Sequence, residues 1–274
     1  MRCTPRILLA ITALSSLPLQ ANSAILLGTA GDFAVLAGST VTNTGLSVVD
    51  GGHVGVSPGA AIVGFPPGIV VPPYTTHAAD AVALQAQSDL TTAYNTAAGL
   101  APTQDLTGQD LGGLTLQPGV YSFSSSAQLT GTLTLDALGD PNAEFVFQIG
   151  STLTTASDSS VVTINGGSMP GCNVFWQVGS SATLGTETAF QGHIFALTSI
   201  TMTTGATMLN GSALARNGAV TLDTNTITNC IIPEPATITI FLIGGALLGL
   251  APVGKRLRER RSCDESRLHA GAAV

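Results

Sequence analysis

Charge is what this sequence has least of. Only 9% of its 274 residues are Asp, Glu, Lys or Arg, against about a quarter in ordinary soluble domains. Between residues 7 and 254 there is one cation, Arg216; the other eight are Arg2 and Arg6 at the start and six from Lys255 to Arg267. Residues 25–232 therefore set twelve carboxylates against Arg216, a net charge of −11. Without a basic patch the chain lacks the footprint that holds a phosphate backbone, which excludes nucleic acid as a partner. Cysteine is scarce too: there are four, in no metal-ligand spacing, so neither a metal nor a cofactor is expected. Catalytic groups are equally thin. His53, His77 and His193 are far apart in sequence and form no His-Glu-x-x-His pattern. "GVSPG" (55–59) matches G-x-S-x-G only formally, because Pro58 and the absence of a following helix make it a turn rather than a nucleophile elbow. Arg216 is expected to pair with a nearby Asp. With no carboxylates clustered beside basic partners, the sequence holds no active site, and the expectation is a protein that is not an enzyme.

What is present begins with the two ends. Residues 1–24, "MRCTPRILLAITALSSLPLQANSA", have a basic start, an apolar stretch and small residues at the close, the pattern of a cleaved secretory signal. At the other end Pro233, Glu234 and Pro235 precede an 18-residue apolar run, residues 236–253, followed by a basic cluster. Such a run spans roughly 27 Å as a helix, enough to cross a bilayer, and the cations after it favour a cytoplasmic tail. This three-part segment (233–261) resembles the PEP-CTERM sorting signal of Gram-negative bacteria. The resemblance implies recognition by a membrane transpeptidase of the exosortase type and export to the cell surface or beyond. A permanent single-span anchor in the inner membrane is the alternative, with residues 262–274 as its cytoplasmic tail. Cys3 then leaves with the signal and Cys263 stays inside, so that Cys172 and Cys230, alone in an oxidising exterior, are expected to form a disulfide.

Between the ends, residues 25–64 alternate short apolar and polar stretches with glycine, as strands and tight turns do. "FPPGIVVPPYTT" (65–76) holds four prolines and reads as a connecting or capping loop. Residues 77–98 read as a helix: Ala79, Val82, Ala83, Ala86, Leu90, Ala93, Tyr94 and Ala97 follow helical spacing, with Gly99 and Pro102 as the stop. Its stripe is mostly alanine, which suits close packing on a sheet.

Beyond about residue 113 the sequence repeats. "FVFQIG" (145–150) is echoed by "VFWQVG" (174–179), and a threonine between apolar residues follows four positions after each glycine. In that register stand Thr134, Thr154, Thr183, Thr201 and Thr221, at spacings of 20, 29, 18 and 20. A unit of about 20 residues rich in Thr, Val, Leu and Gly indicates a parallel β-solenoid of stacked coils. Alternation points Leu133, Leu135, Leu153, Ala182, Leu184, Ile200, Met202, Val220 and Leu222 inward and the threonines outward, in a file about 4.8 Å apart. "TLGT", "TMTT" and "TLDT" add Thr186, Thr204 and Thr224, which fall at or past a corner, with Thr188, Thr207, Thr226 and Thr228 on the adjacent face. Threonine also packs well in any exposed ladder, so the files alone do not decide their use.

The stretches "LLGTAGDFAVLAGSTVTNTG" (26–45), "GHVGVSPG" (52–59), 111–155, 173–207 and "LARNGAVTLDTNTIT" (214–228) resemble the ice-binding (antifreeze) protein family of cold-adapted bacteria, fungi and algae. The resemblance implies a discontinuous right-handed β-solenoid of triangular section with one α-helix packed alongside. It also implies adsorption to ice, which halts crystal growth and suppresses recrystallisation. Ice is then the partner, and either threonine file is a candidate surface. A structural or adhesive matrix protein with the same fold is the alternative.

Overall fold

The two echoed hexamers lie side by side. Phe145–Ile149 pairs in parallel with Val174–Val178, so that Phe147 meets Trp176 and Gln148 meets Gln177. In this computed structural model, which describes residues 25–166 and 171–230, the same stacking builds three parallel sheets around a shared apolar core. The long sheet has nine strands in the order 76–78, 53–56, 33–37, 213–215, 193–196, 174–178, 145–149, 119–123 and 104–105. A second, the threonine sheet, has seven, in the order 127–129, 153–155, 182–184, 200–202, 220–223, 40–44 and 61–63. The third has eight: 69–70, 48–50, 226–228, 207–209, 189–191, 160–164, 132–136 and 115–116.

Chain order and spatial order differ. The first coils, residues 33–63, stack on the last one, Val35 opposite Ala213 and Thr42 opposite Thr221. The chain then crosses to the far end of the stack and restarts at residue 104. The helix Ala81–Gly99 makes that crossing. Its 19 residues cover roughly 28 Å of a nine-strand stack that is roughly 38 Å tall, and short flanking segments supply the rest.

Helix formation starts later than the spacing predicts. Thr76–Ala78 is a strand paired with Val54–Val56, Ala79 takes a left-handed φ of 52°, and Asp80 caps the helix by accepting the Ala83 amide at 2.9 Å. Capping by Asp at the first turn satisfies an otherwise orphan N–H. The buried stripe is Ala83, Ala86, Leu90, Ala93, Tyr94 and Ala97; Val82, expected there too, faces solvent. The alanines let the helix lie close to Val146, Phe175, Phe195, Leu214 and Leu36 on the outer side of the long sheet. The glutamines of the echoed hexamers hold it there. Gln148 donates to the carbonyls of Ala97 and Leu100, both at 2.8 Å, and Gln177 donates to the Tyr94 hydroxyl at 2.8 Å.

All nine residues expected to point inward are buried. Between the sheets a column of rings follows from the register: Tyr121 on Phe147 at 5.4 Å, Phe147 on Trp176 at 3.9 Å, and Trp176 on Phe190 at 5.0 Å between centroids. The proline-rich segment is not wholly a loop, because Ile69–Val70 pairs with Val48–Val49 and closes a terminal coil. Corners between the threonine sheet and the third sheet are turned through left-handed residues: Asp158, Glu187, Gly205 and Thr224 have φ of 58°, 57°, 72° and 54°. Gly205 is needed twice over, since a Cβ there would lie 2.3 Å from the Glu187 carboxylate.

Cys172 and Cys230 form the expected disulfide, with Cα atoms 5.8 Å apart and 58 residues between them in sequence. Cross-linking a loop of that size contributes about 2–4 kcal/mol. Reductant is therefore expected to lower the midpoint of thermal unfolding of the secreted domain, and thiol counting by mass checks that the link opened. The N-terminal signal, the 233–261 segment with its apolar run and the 262–274 tail lie outside the described residues. Among the described residues no helix is long and apolar enough to cross a membrane.

Candidate functional site

The helix covers one of the three faces, leaving the outer sides of the other two sheets to solvent. On the threonine sheet, Thr154, Thr183, Thr201 and Thr221 stand in adjacent register, as their spacing predicts. Thr42 continues the file beyond Thr221, its hydroxyl donating to that of Thr221 at 3.3 Å. Chain order hides this fifth member, although "TVTNT" (40–44) carries the same alternation around a buried Val41. Gln128 and Val63 complete the file at its two ends. Thr134, expected as its first member, lies instead on the third sheet opposite Val162. The coil preceding Thr154 is longer than 20 residues, so its strand in the threonine sheet is 127–129 and Thr134 falls past the corner.

Two residues earlier on each strand a second row faces outward: Ser126, Thr152, Ser181, Ser199, Ala219, Thr40 and Ala61. The two rows form a grid of about 4.8 Å between strands by about 6.7 Å along them. No side chain in either row is charged. Among the described residues the hydroxyls of Thr154, Thr183 and Thr201 have no protein partner, so water is left to satisfy them.

The second set of threonines is more dispersed. Thr186, Thr204 and Thr224 are exposed at the corner, where Thr204 donates to the Asp223 carboxylate and the Thr186 hydroxyl bonds that of Thr203 at 3.4 Å. Thr188 does not face solvent at all; it is fully buried against Thr155, hydroxyl to hydroxyl at 2.8 Å. Thr207 pairs with Thr226, but the row continues into Val48 and Ile69. Thr228 lies between Leu209 and Asp50, with Gln191 beyond. That face mixes long, branched and charged side chains.

Arg216 does not find an Asp. Its guanidinium lies 4.7 Å from the centre of the Tyr94 ring, and among the described residues it makes no ion pair; the helix brings the aromatic face to the cation in place of a carboxylate. His53 and His77, far apart in sequence, are brought together by adjacent coils, ring centres 4.7 Å apart. Among the described residues no three His, Cys, Asp or Glu gather to hold a metal. His193 is buried beside Phe175 and bonded to the Ser212 hydroxyl at 2.8 Å. Burial pushes its imidazole down to about 4, against a smaller opposing effect of a hydrogen bond with the Cys172 backbone. The unfolded chain then binds a proton near pH 6.5 that the folded one refuses, so stability is complete above that pH and falls between about 6.5 and 4, by about 3 kcal/mol. Denaturant midpoints measured across this range are expected to decline in the parent and to decline less in His193→Gln.

An ice-binding-like family model matches residues 35–228. An ice-binding protein of Nostoc sp. (strain HG1) is 58% identical over 264 residues, spanning 92% of this chain and 96% of the relative. One from Colwellia sp. is 37% identical over 217 residues, 74% of this chain and 83% of its own. Among solved structures, an ice-binding protein from an Antarctic biological consortium superposes with a TM-score of 0.71 at 48% identity, covering 82% of this chain and 96% of that one. That of the Antarctic ascomycete Antarctomyces psychrotrophicus gives 0.71 at 42% identity, over 76% and 99%. With the family model spanning the stacked coils from one exposed sheet to the other, this chain belongs to the ice-binding-like family.

Proposed function

We propose that this chain is an exported ice-binding protein that adsorbs to ice through the threonine sheet, inhibiting crystal growth and recrystallisation. The observation that carries this reading is the file of five threonines in register, flanked by a second row of small uncharged side chains. A charged group holds its own hydration shell, whereas methyls and hydroxyls on a fixed grid leave bridging water ordered between them. Stacked coils supply the rigidity, so little ordering entropy is lost on adsorption. The third sheet offers neither an even height nor freedom from charge. A right-handed winding of triangular section, as the resemblance implies, keeps the face flat from coil to coil. Export through residues 1–24 and sorting through 233–261 bring the surface to extracellular water, with an exosortase-type enzyme as the second partner.

Purified residues 25–232 are expected to shape ice crystals and slow recrystallisation at micromolar concentration. A matrix or adhesive protein of the same fold leaves crystals unaltered, and that result would overturn the reading.

A further inference from the structure

The terminal coil, residues 61–78, is fastened to the molecule by a short chain of polar contacts at the head of the helix. The Thr75 amide donates to His53 Nδ1 at 3.1 Å. The Thr75 hydroxyl lies 3.3 Å from the same nitrogen and 3.2 Å from His77 Nε2. His77 Nδ1 in turn meets the Asp80 carboxylate at 2.8 Å, and the other oxygen of Asp80 caps the helix at Ala83. The first contact fixes a protonation state: a nitrogen that accepts an amide hydrogen carries none, so His53 is neutral with its proton on Nε2.

We infer that His53 is the acid-sensitive catch of a latch that holds the terminal coil and the helix start against the rest of the solenoid. Protonating His53 turns Nδ1 into a donor facing the Thr75 N–H, and the bond is lost. Histidine changes charge in the mildly acidic range, where this loss takes effect. The neighbours oppose charge on His53 more than they favour it. His77 is 4.7 Å away edge to face, and Tyr74 and Phe33 present rings at 5.4 and 5.6 Å. Asp80 is engaged by His77 and by the helix cap, which together hold its carboxyl below the usual range. Asp32, next to Phe33, and Asp50, bonded to the Gly51 amide, make no hydrogen bond to either ring among the described residues. When both histidines are charged the pair repels, and His77 is the one with a carboxylate partner.

Opening the latch frays the coil next to Thr42, at one end of the threonine file. Hydrogen exchange on the full secreted domain tests this, with rates corrected for the intrinsic effect of acidity. Between about pH 7.5 and about pH 5, protection of the amides of Thr75–Ala78 is expected to fall about tenfold or more while the strands at 174–178 hold theirs. In His53→Asn, whose side-chain oxygen takes the place of Nδ1 and does not titrate, protection there is expected to stay constant. Equal protection at both acidities in the parent, or the same loss in His53→Asn, would overturn the inference. Should His53→Asn fail to fold, an NMR titration of the parent decides: the His53 ring and the Thr75 amide must shift with one shared midpoint, and separate midpoints sink the latch.

Discussion

Thr201→Tyr is expected to abolish ice shaping and recrystallisation inhibition while leaving the fold intact. Thr201 sits at the middle of the file, between Thr183 and Thr221, and its outward position makes no hydrogen bond among the described residues that the substitution would break. A phenol ring there projects above its neighbours and lifts the whole plane from the ice, so the loss far exceeds one contact. Stability is expected to change by no more than about 0.5 kcal/mol, as for other surface replacements. Thr207→Tyr on the third sheet is the matched control, expected to keep full activity. The reverse outcome, activity retained in Thr201→Tyr and lost in Thr207→Tyr, would move the ice-contacting surface to the third sheet.

The largest stability effect is expected at Trp176. Its indole is fully buried between Phe147 and Phe190, and its N–H donates to the Gln191 carbonyl at 3.1 Å. Trp176→Ala leaves a void that rigid parallel coils cannot collapse to fill, and it strands a carbonyl as well. The expected cost is about 3–5 kcal/mol, read as a shift of the urea midpoint at unchanged slope. A loss under about 1 kcal/mol would mean that the ring column is not a rigid part of the core. Trp176→Phe, which keeps most of the stacking, is expected to recover much of the difference.

Those two residues also mark how far the fold was legible in the sequence. Around Trp176 the hexamer echo specified a register, and Thr154, Thr183, Thr201 and Thr221 followed from it, because parallel stacking forces equivalent residues onto neighbouring strands. Thr42 did not follow, because nothing in chain order says that the first coils lie on the last. Thr134 was misplaced for a related reason: a coil can lengthen at a corner without altering its strands, so equal spacing does not ensure the same face. Thr188 was read as exposed by counting from the corner, but the four-residue turn at 185–188 brings it inward to Thr155. Arg216 and the His53–His77 pair depend on which coils become neighbours, and single-sequence patterns contain no information about that. The late start of the helix was readable in principle, since Asp80 has the chemistry of a cap.

The interlocking of first and last coils has a consequence for how the protein is made. Residues 33–44 find their partners only at 213–223, near the end of the domain. A nascent chain emerging from the ribosome has no surface on which its own first coils can settle, and closing so long a span is slow. The polypeptide thus stays threadable until synthesis of the domain is nearly done, the condition a secretion channel for unfolded chains demands, and completes its structure on the far side.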